Sequence, residues 1–119
     1  MRRLLIVDDQ TGIRLLLDEV FRREGFETRL AANGMEALQA MKEEVPGCVL
    51  LDMKMPGIDG IEVLKRLKSE WPEVPVIMMT AYGEIELTED ALKIGAKKYF
   101  TKPFDIYEVR DAVNAMFEN

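Results

Sequence analysis

The run CVLLD drives four apolar residues into a carboxylate, Asp52, and the turn-rich MKMPGIDG follows. Burying a lone charge is costly, so Asp52 needs solvent, a partner or a chemical task. Three other apolar runs end in a comparable way. LLIV runs into Asp8-Asp9-Gln10, VPVIMM into Thr80-Ala81, and KKYF reaches Lys102-Pro103 a step beyond its end. Brought together, the three carboxylates would repel one another and raise one another's pKa unless a cation sat among them. An all-oxygen set favours a hard cation, and sparse carboxylates that leave room for water suit Mg2+ better than Ca2+. Three carboxylates, one divalent ion and one lysine sum to about zero charge. Taken singly, each residue has a plainer use: Asp8 or Asp9 as a helix N-cap, Thr80 as a hydroxyl bonded to backbone, Lys102 as a solvated charge, Asp52 as a turn former. The joint pattern at four run ends favours the chemical reading.

Such a cluster requires elements that bring the run ends to one edge. Short aliphatic runs at Leu4–Val7, Cys48–Leu51 and Val74–Met79, with weaker ones at Glu27–Ala31 and Lys97–Phe100, read as strands. Helical spacing separates them. Ile13, Leu16, Leu17, Val20 and Phe21 follow i, i+3, i+4, i+7, i+8, and Gly25 supplies a stop. Asn33 with Glu36, Asp59 with Glu62 and Asp105 with Glu108 have capping-box spacing, and open helices through roughly Glu44, Lys68 and Phe117. A further helix spans Glu84 to Ile94, acidic early and basic late, with Gly95 past its end. Five strands alternating with five helices imply a parallel sheet covered on both faces, a doubly wound α/β domain. In such sheets functional groups gather beyond the carboxyl ends of the strands, where all four run ends lie.

Composition narrows the alternatives. The 119 residues suit one domain, and 48% hydrophobic with 32% charged residues is ordinary for a globular chain. A net charge of −6 argues against nonspecific nucleic-acid binding. One cysteine, Cys48, and no histidine exclude an intrachain disulfide and the common zinc sets; Cys48 is expected in the core. The opening MRRLLIVDD is too short in apolar residues for a signal segment or membrane span, so the chain reads as cytoplasmic and not membrane-bound.

IVDDQ, LLDMKMPGIDG, MMTAYG and TKPFD, in that order and spacing, resemble the receiver domain of bacterial response regulators across essentially the whole chain. The resemblance implies a (βα)5 flavodoxin-like, CheY-like three-layer sandwich with strand order 2-1-3-4-5, an order taken from the fold family rather than read off the residues. It implies one receiver domain over 1–119 with no output domain. Asp52 is then the phospho-accepting nucleophile, Asp9 a direct Mg2+ ligand, Asp8 one mainly through water, and the Lys54 carbonyl a further ligand, with Mn2+ as a substitute ion. Lys102 would offset charge on the phosphoryl oxygens, and Thr80 and the Ala81 N–H would bind them. The Lys102–Pro103 peptide is expected to be cis, and Thr80 with Tyr99 to form a switch. Such a protein catalyses its own Mg2+-dependent phosphorylation without turning over a small molecule.

Within that family, DDQTGIRLLLDEVF, LAANGMEAL and KPFDIYEVRDAV are similar to single-domain members of the sporulation-initiation phosphorelay. That likeness implies a sensor histidine kinase as donor, a histidine-containing phosphotransferase as acceptor, an aspartyl-phosphate phosphatase as a further partner, and a monomer. The partner face would comprise Gln10, Thr11, Gly12, Ile13 and Leu16, with Tyr82, Pro103 and Phe104 on neighbouring loops. Ile13 and Leu16 could equally be core. Thr11 and Tyr99 depart from the relay pattern, Tyr99 toward a conventional switching receiver. Lys54, two residues past Asp52, could shield an acyl phosphate from water. The rivals are a stand-alone CheY-type receiver that binds a target, a receiver that is never phosphorylated, and a haloacid dehalogenase-type phosphatase. The last places its nucleophile in a DxD on the first strand, which IVDDQ lacks, and no GxGxxG supports a dinucleotide fold.

Overall fold

The computed structural model describes residues 2–81 and 85–118, with the side chains of 85–87 outside the description. The strands are β1 (Arg3–Val7), β2 (Glu27–Ala31), β3 (Cys48–Asp52), β4 (Val76–Thr80) and β5 (Lys98–Thr101). The helices are α1 (Thr11–Arg23), α2 (Gly34–Glu43), α3 (Gly60–Glu70), α4 (Ile85–Ile94) and α5 (Ile106–Met116). They alternate strictly, and the five strands form one parallel sheet in the order β2-β1-β3-β4-β5.

The near-continuous apolar runs become the inner strands because both sheet faces are covered. Every residue of β3 and β4 is buried, whereas the edge strands β2 and β5 carry exposed Glu27, Arg29, Lys98 and Tyr99. Alternation along the strands then splits the core in two. Leu5, Val7, Val49, Leu51, Val76 and Met78 pack with Ala37, Met41, Val63, Leu64 and Leu67 from α2 and α3. Leu4, Ile6, Cys48, Leu50, Ile77 and Met79 pack with Leu17, Phe21, Val109 and Val113 from α1 and α5. Cys48 is fully buried, and burial pushes its thiol up to about 12, so it serves as packing.

Local signals place the helices. The Asn33 and Asp59 carboxamide and carboxylate oxygens accept from the N–H groups of Glu36 and Glu62, each at 2.9 Å. Glu36 reaches back to the Ala32 N–H (2.8 Å), one residue earlier than a capping box requires. Asp105 accepts instead from the Tyr107 N–H (2.8 Å), so that cap closes one residue short of Glu108. Gly25 and Gly95 follow α1 and α4 with φ of 90° and 133°, a region that L side chains rarely adopt. Strand β4 starts at Val76, later than the apolar run, because Pro75 has no N–H to donate. Strand β3 runs one residue further, to Asp52 itself. Among the described residues no helix is long and apolar enough to cross a membrane.

Candidate functional site

The parallel ladder brings the predicted groups to one edge. Asp8 follows β1, and its N–H still donates to the Ala31 carbonyl (3.1 Å) as the ladder ends. Asp52 closes β3 in register with Met79. Thr80 closes β4 beside Thr101, and the Lys102 N–H donates to the Thr80 carbonyl at 2.7 Å. The carboxylates of Asp8, Asp9 and Asp52 each offer an oxygen within 4.8 Å of the others. Asp8 and Asp52 are buried, at 0% and 4% exposure, while Asp9 opens to solvent.

Lys102 enters from the β5 side and answers part of this charge. Its Nζ lies 2.8 Å from Asp8 Oδ2, 3.4 Å from Asp52 Oδ1 and 3.3 Å from Gln10 Oε1. The other Asp8 oxygen accepts from the Gln10 N–H at 2.9 Å, an Asx turn that starts the β1–α1 loop. Asp8 therefore combines an N-cap-like bond with an ion pair, and α1 itself opens at Gln10 without a side-chain cap. The Lys102–Pro103 peptide is cis, as expected.

One cation among three carboxylates leaves two negative charges. The strain shows at Asp52, whose carboxyl is raised from 3.8 to about 7. Burial is the main cause and the Asp8 charge the next; Lys102 pulls the other way, and Asp9 adds to the push. The donors are all oxygens, so the cluster suits a hard divalent cation, which would bring the local charge to about zero. Asp8, Asp9 and Asp52 are the groups placed to hold it.

The β3–α3 loop fixes Asp52 from behind. The Met53 N–H donates to Met79 O (2.8 Å), and the Gly60 N–H returns to Met53 O (2.8 Å). A Cβ on Gly60 would stand 2.3 Å from Asp52 O and 2.6 Å from Met53 Cα, so only glycine lets α3 start this close to the Asp52 backbone. Gly57 takes φ 83°, which favours glycine, and with Pro56 lines a cavity that reaches Asp9. Met53 and Met55 are buried on either side of exposed Lys54.

Thr80 is buried, and its Oγ1 donates to the Phe100 carbonyl at 3.5 Å, the outer limit of a hydrogen bond. Tyr99 is 40% exposed on edge strand β5, and Ala81 is exposed at the site's rim. On the side of α1, Gln10, Thr11 and Gly12 are exposed and Ile13 is half-buried against the α5-side core. Leu16 is exposed rather than core, and Leu15 joins it at 58%. Pro103 is exposed and Phe104 half-buried beside Lys102; Tyr82 lies outside the described residues.

Three contributors had no reading from sequence. Leu15 hides among neighbouring leucines, and α1 periodicity alone does not say which of them the core takes. Gly60 carries no positive φ, so only the close approach explains it. Arg14, whose guanidinium donates to the Asp8 carbonyl at 2.7 Å, has no sequence signal beyond its place in the first turn of α1.

Comparison with known proteins is consistent with this geometry. The family model described as "Response regulator receiver domain" matches residues 4–114. The chain is 56% identical over 111 residues to sporulation initiation phosphotransferase F of Bacillus subtilis, covering 93% of this chain and 90% of that one. It is 37% identical to chemotaxis protein CheY of the same organism, covering 94% of each. The crystal structure of the receiver domain of NtrX from Brucella abortus superposes with a TM-score of 0.92 at 34% identity, covering 98% of both chains.

Proposed function

Because the chain belongs to the response regulator receiver family, we propose that Asp52 accepts a phosphoryl group from a sensor histidine kinase and passes it to a histidine-containing phosphotransferase. An Asp52 oxygen attacks phosphorus in line with the P–N bond of a phosphohistidine. The P–N electron pair returns to the imidazole, and the new P–O bond makes an acyl phosphate. The observation that carries this reading is the convergence of Asp8, Asp9 and Asp52 within 4.8 Å, with the Lys102 ammonium beside the Asp8 and Asp52 carboxylates.

Asp8, Asp9, Asp52 and the Lys54 carbonyl would hold Mg2+, for which Mn2+ could substitute. When bound, the ion supplies charge neutralisation at the phosphoryl oxygens. This chain's own groups do the rest. Strand β3 holds the nucleophile still, since its neighbours on both sides are paired strands. Lys102 Nζ, 3.4 Å from Asp52, is placed to meet a phosphoryl oxygen. Thr80 gives up only a long bond to Phe100 O if its hydroxyl turns to the phosphoryl group, which makes it a low-cost switch.

A relay intermediate of sporulation initiation is the specific role favoured by the 56% identity to sporulation initiation phosphotransferase F, and the exposed Leu15–Leu16 pair on α1 suits an apolar docking helix. Exposed Tyr99 favours a second reading, a stand-alone receiver that signals by binding a target. Return of label to a histidine phosphotransferase separates the two. The primary test is intact mass after incubation with acetyl phosphate, with and without Mg2+. A Mg2+-dependent, base-labile single adduct that Asp52→Asn abolishes is expected. An adduct that persists in Asp52→Asn would remove the site assignment.

A further inference from the structure

We infer that Arg14 is a positioning residue for the acidic loop: its guanidinium ties the carbonyl that precedes Asp9 to the first turn of α1 and so sets the cation affinity of the cluster. The inference rests on reading Asp8 and Asp9 as metal-holding groups.

Three observations carry it. Arg14 Nη1 donates to the Asp8 carbonyl at 2.7 Å, and the Arg14 backbone N–H donates to the Gln10 carbonyl at 3.1 Å. The second is the first backbone bond of α1, common to any residue at this position, so the guanidinium on the peptide just before Asp9 is what Arg14 adds to the loop. The second guanidinium nitrogen, Nη2, is 3.3 Å from Thr11 Oγ1, which steadies the guanidinium's plane over the loop. Asp8 is in turn held at its N–H by Ala31 O and at its carboxylate by Gln10 N–H and Lys102 Nζ. Strand β1 has ended at Val7, so beyond this point the ladder no longer organises the chain. Asp9 is the exposed member of the cluster, and the bonds on Asp8 hold the backbone that leads into it.

A charge-assisted bond to a carbonyl is stronger than a neutral one, and a planar guanidinium holds its geometry at two acceptors where an ammonium cannot. Groups that orient metal ligands in this way typically affect affinity by about tenfold or more. Simple electrostatics predicts the opposite sign. Arg14 is a positive charge near a cation site, so removing it should tighten cation binding if its role were only through space.

That opposition of sign makes the test decisive. Mn2+ binding to the full chain would be measured from the free-ion electron paramagnetic resonance signal for wild type, Arg14→Ala, Arg14→Lys, Thr11→Val and Asp9→Asn, with urea midpoints alongside. The expected result is about tenfold weaker Mn2+ binding in Arg14→Ala, a smaller loss in Arg14→Lys and Thr11→Val, and a urea midpoint too little changed to account for it. Equal or tighter binding in Arg14→Ala, with Asp9→Asn weakened, would overturn the positioning role and leave the metal-holding reading intact. Undiminished binding in Asp9→Asn, or none in wild type, would overturn both. Should Arg14→Ala fail to fold, unchanged affinity in both Arg14→Lys and Thr11→Val would overturn the inference equally.

Discussion

Replacing Asp52 with Asn is expected to stabilise the metal-free protein at neutral pH while destroying its proposed chemistry. The Asp52 carboxyl titrates near 7 instead of 3.8, chiefly through burial and then through the Asp8 charge. Between those values the folded chain holds a proton that the unfolded chain has released. Stability therefore falls as pH rises through the window; the cost is complete above about 7 and absent below 3.8. At about 1.36 kcal/mol per pH unit the ceiling is about 4 kcal/mol. The cleft opens to water at Asp9, and screening there brings the expected cost down to roughly 1–3 kcal/mol. Asparagine keeps the shape and removes the charge, so the mutant should gain that amount near neutrality and little at pH about 4. Urea unfolding of both proteins in chelator, across this range, reads the difference directly. Saturating Mg2+ should close the gap by stabilising the wild type through selective binding to the folded state. A mutant no more stable than wild type at neutral pH, or a gain that does not shrink on acidification, would refute the reasoning.

Gly60→Ala places a methyl 2.3 Å from the Asp52 carbonyl oxygen, so α3 or Asp52 must move; a loss of about 1–3 kcal/mol in urea stability and slower labelling by acetyl phosphate are expected, and an unchanged labelling rate would count against the close-approach argument. Lys102→Ala leaves Asp8, which is fully buried, without its ion-pair partner; a loss of about 3 kcal/mol at neutral pH, partly restored by Mg2+, should appear in the same denaturation assay. Lys54→Asn should shorten the phosphoaspartate lifetime, followed by loss of the mass adduct, because a long exposed side chain two residues past Asp52 no longer obstructs water; an unchanged lifetime would dispose of the shielding role. Leu15→Ser with Leu16→Ser should slow phosphoryl exchange with a histidine phosphotransferase while leaving labelling by acetyl phosphate intact, since both side chains are exposed and outside the acid cluster.

Much of this protein is local and so was legible in the chain. Buried parallel strands need unbroken apolar runs, which is why CVLLD and VIMMT declared themselves, and cap residues act within three positions, which is why Asn33 and Asp59 marked their helices. The four run ends named the acid, hydroxyl and amine groups of the site, because in a parallel sheet strand ends share one edge. What the sequence could not determine depends on distance through space. Whether Leu16 or Leu17 faces the core follows from the rotation of α1 against the sheet, and only Leu17 is buried. Gly60 is required by a backbone approach from a different element, and Arg14 acts on a carbonyl six residues back around a loop. The raised Asp52 pKa needs both burial and the Asp8 charge, and its partial relief needs Lys102, fifty residues away in the chain. Residue types and periodicity set which groups could meet; the packing of sheet and helices decided at what distance they do, and electrostatics depends on that distance.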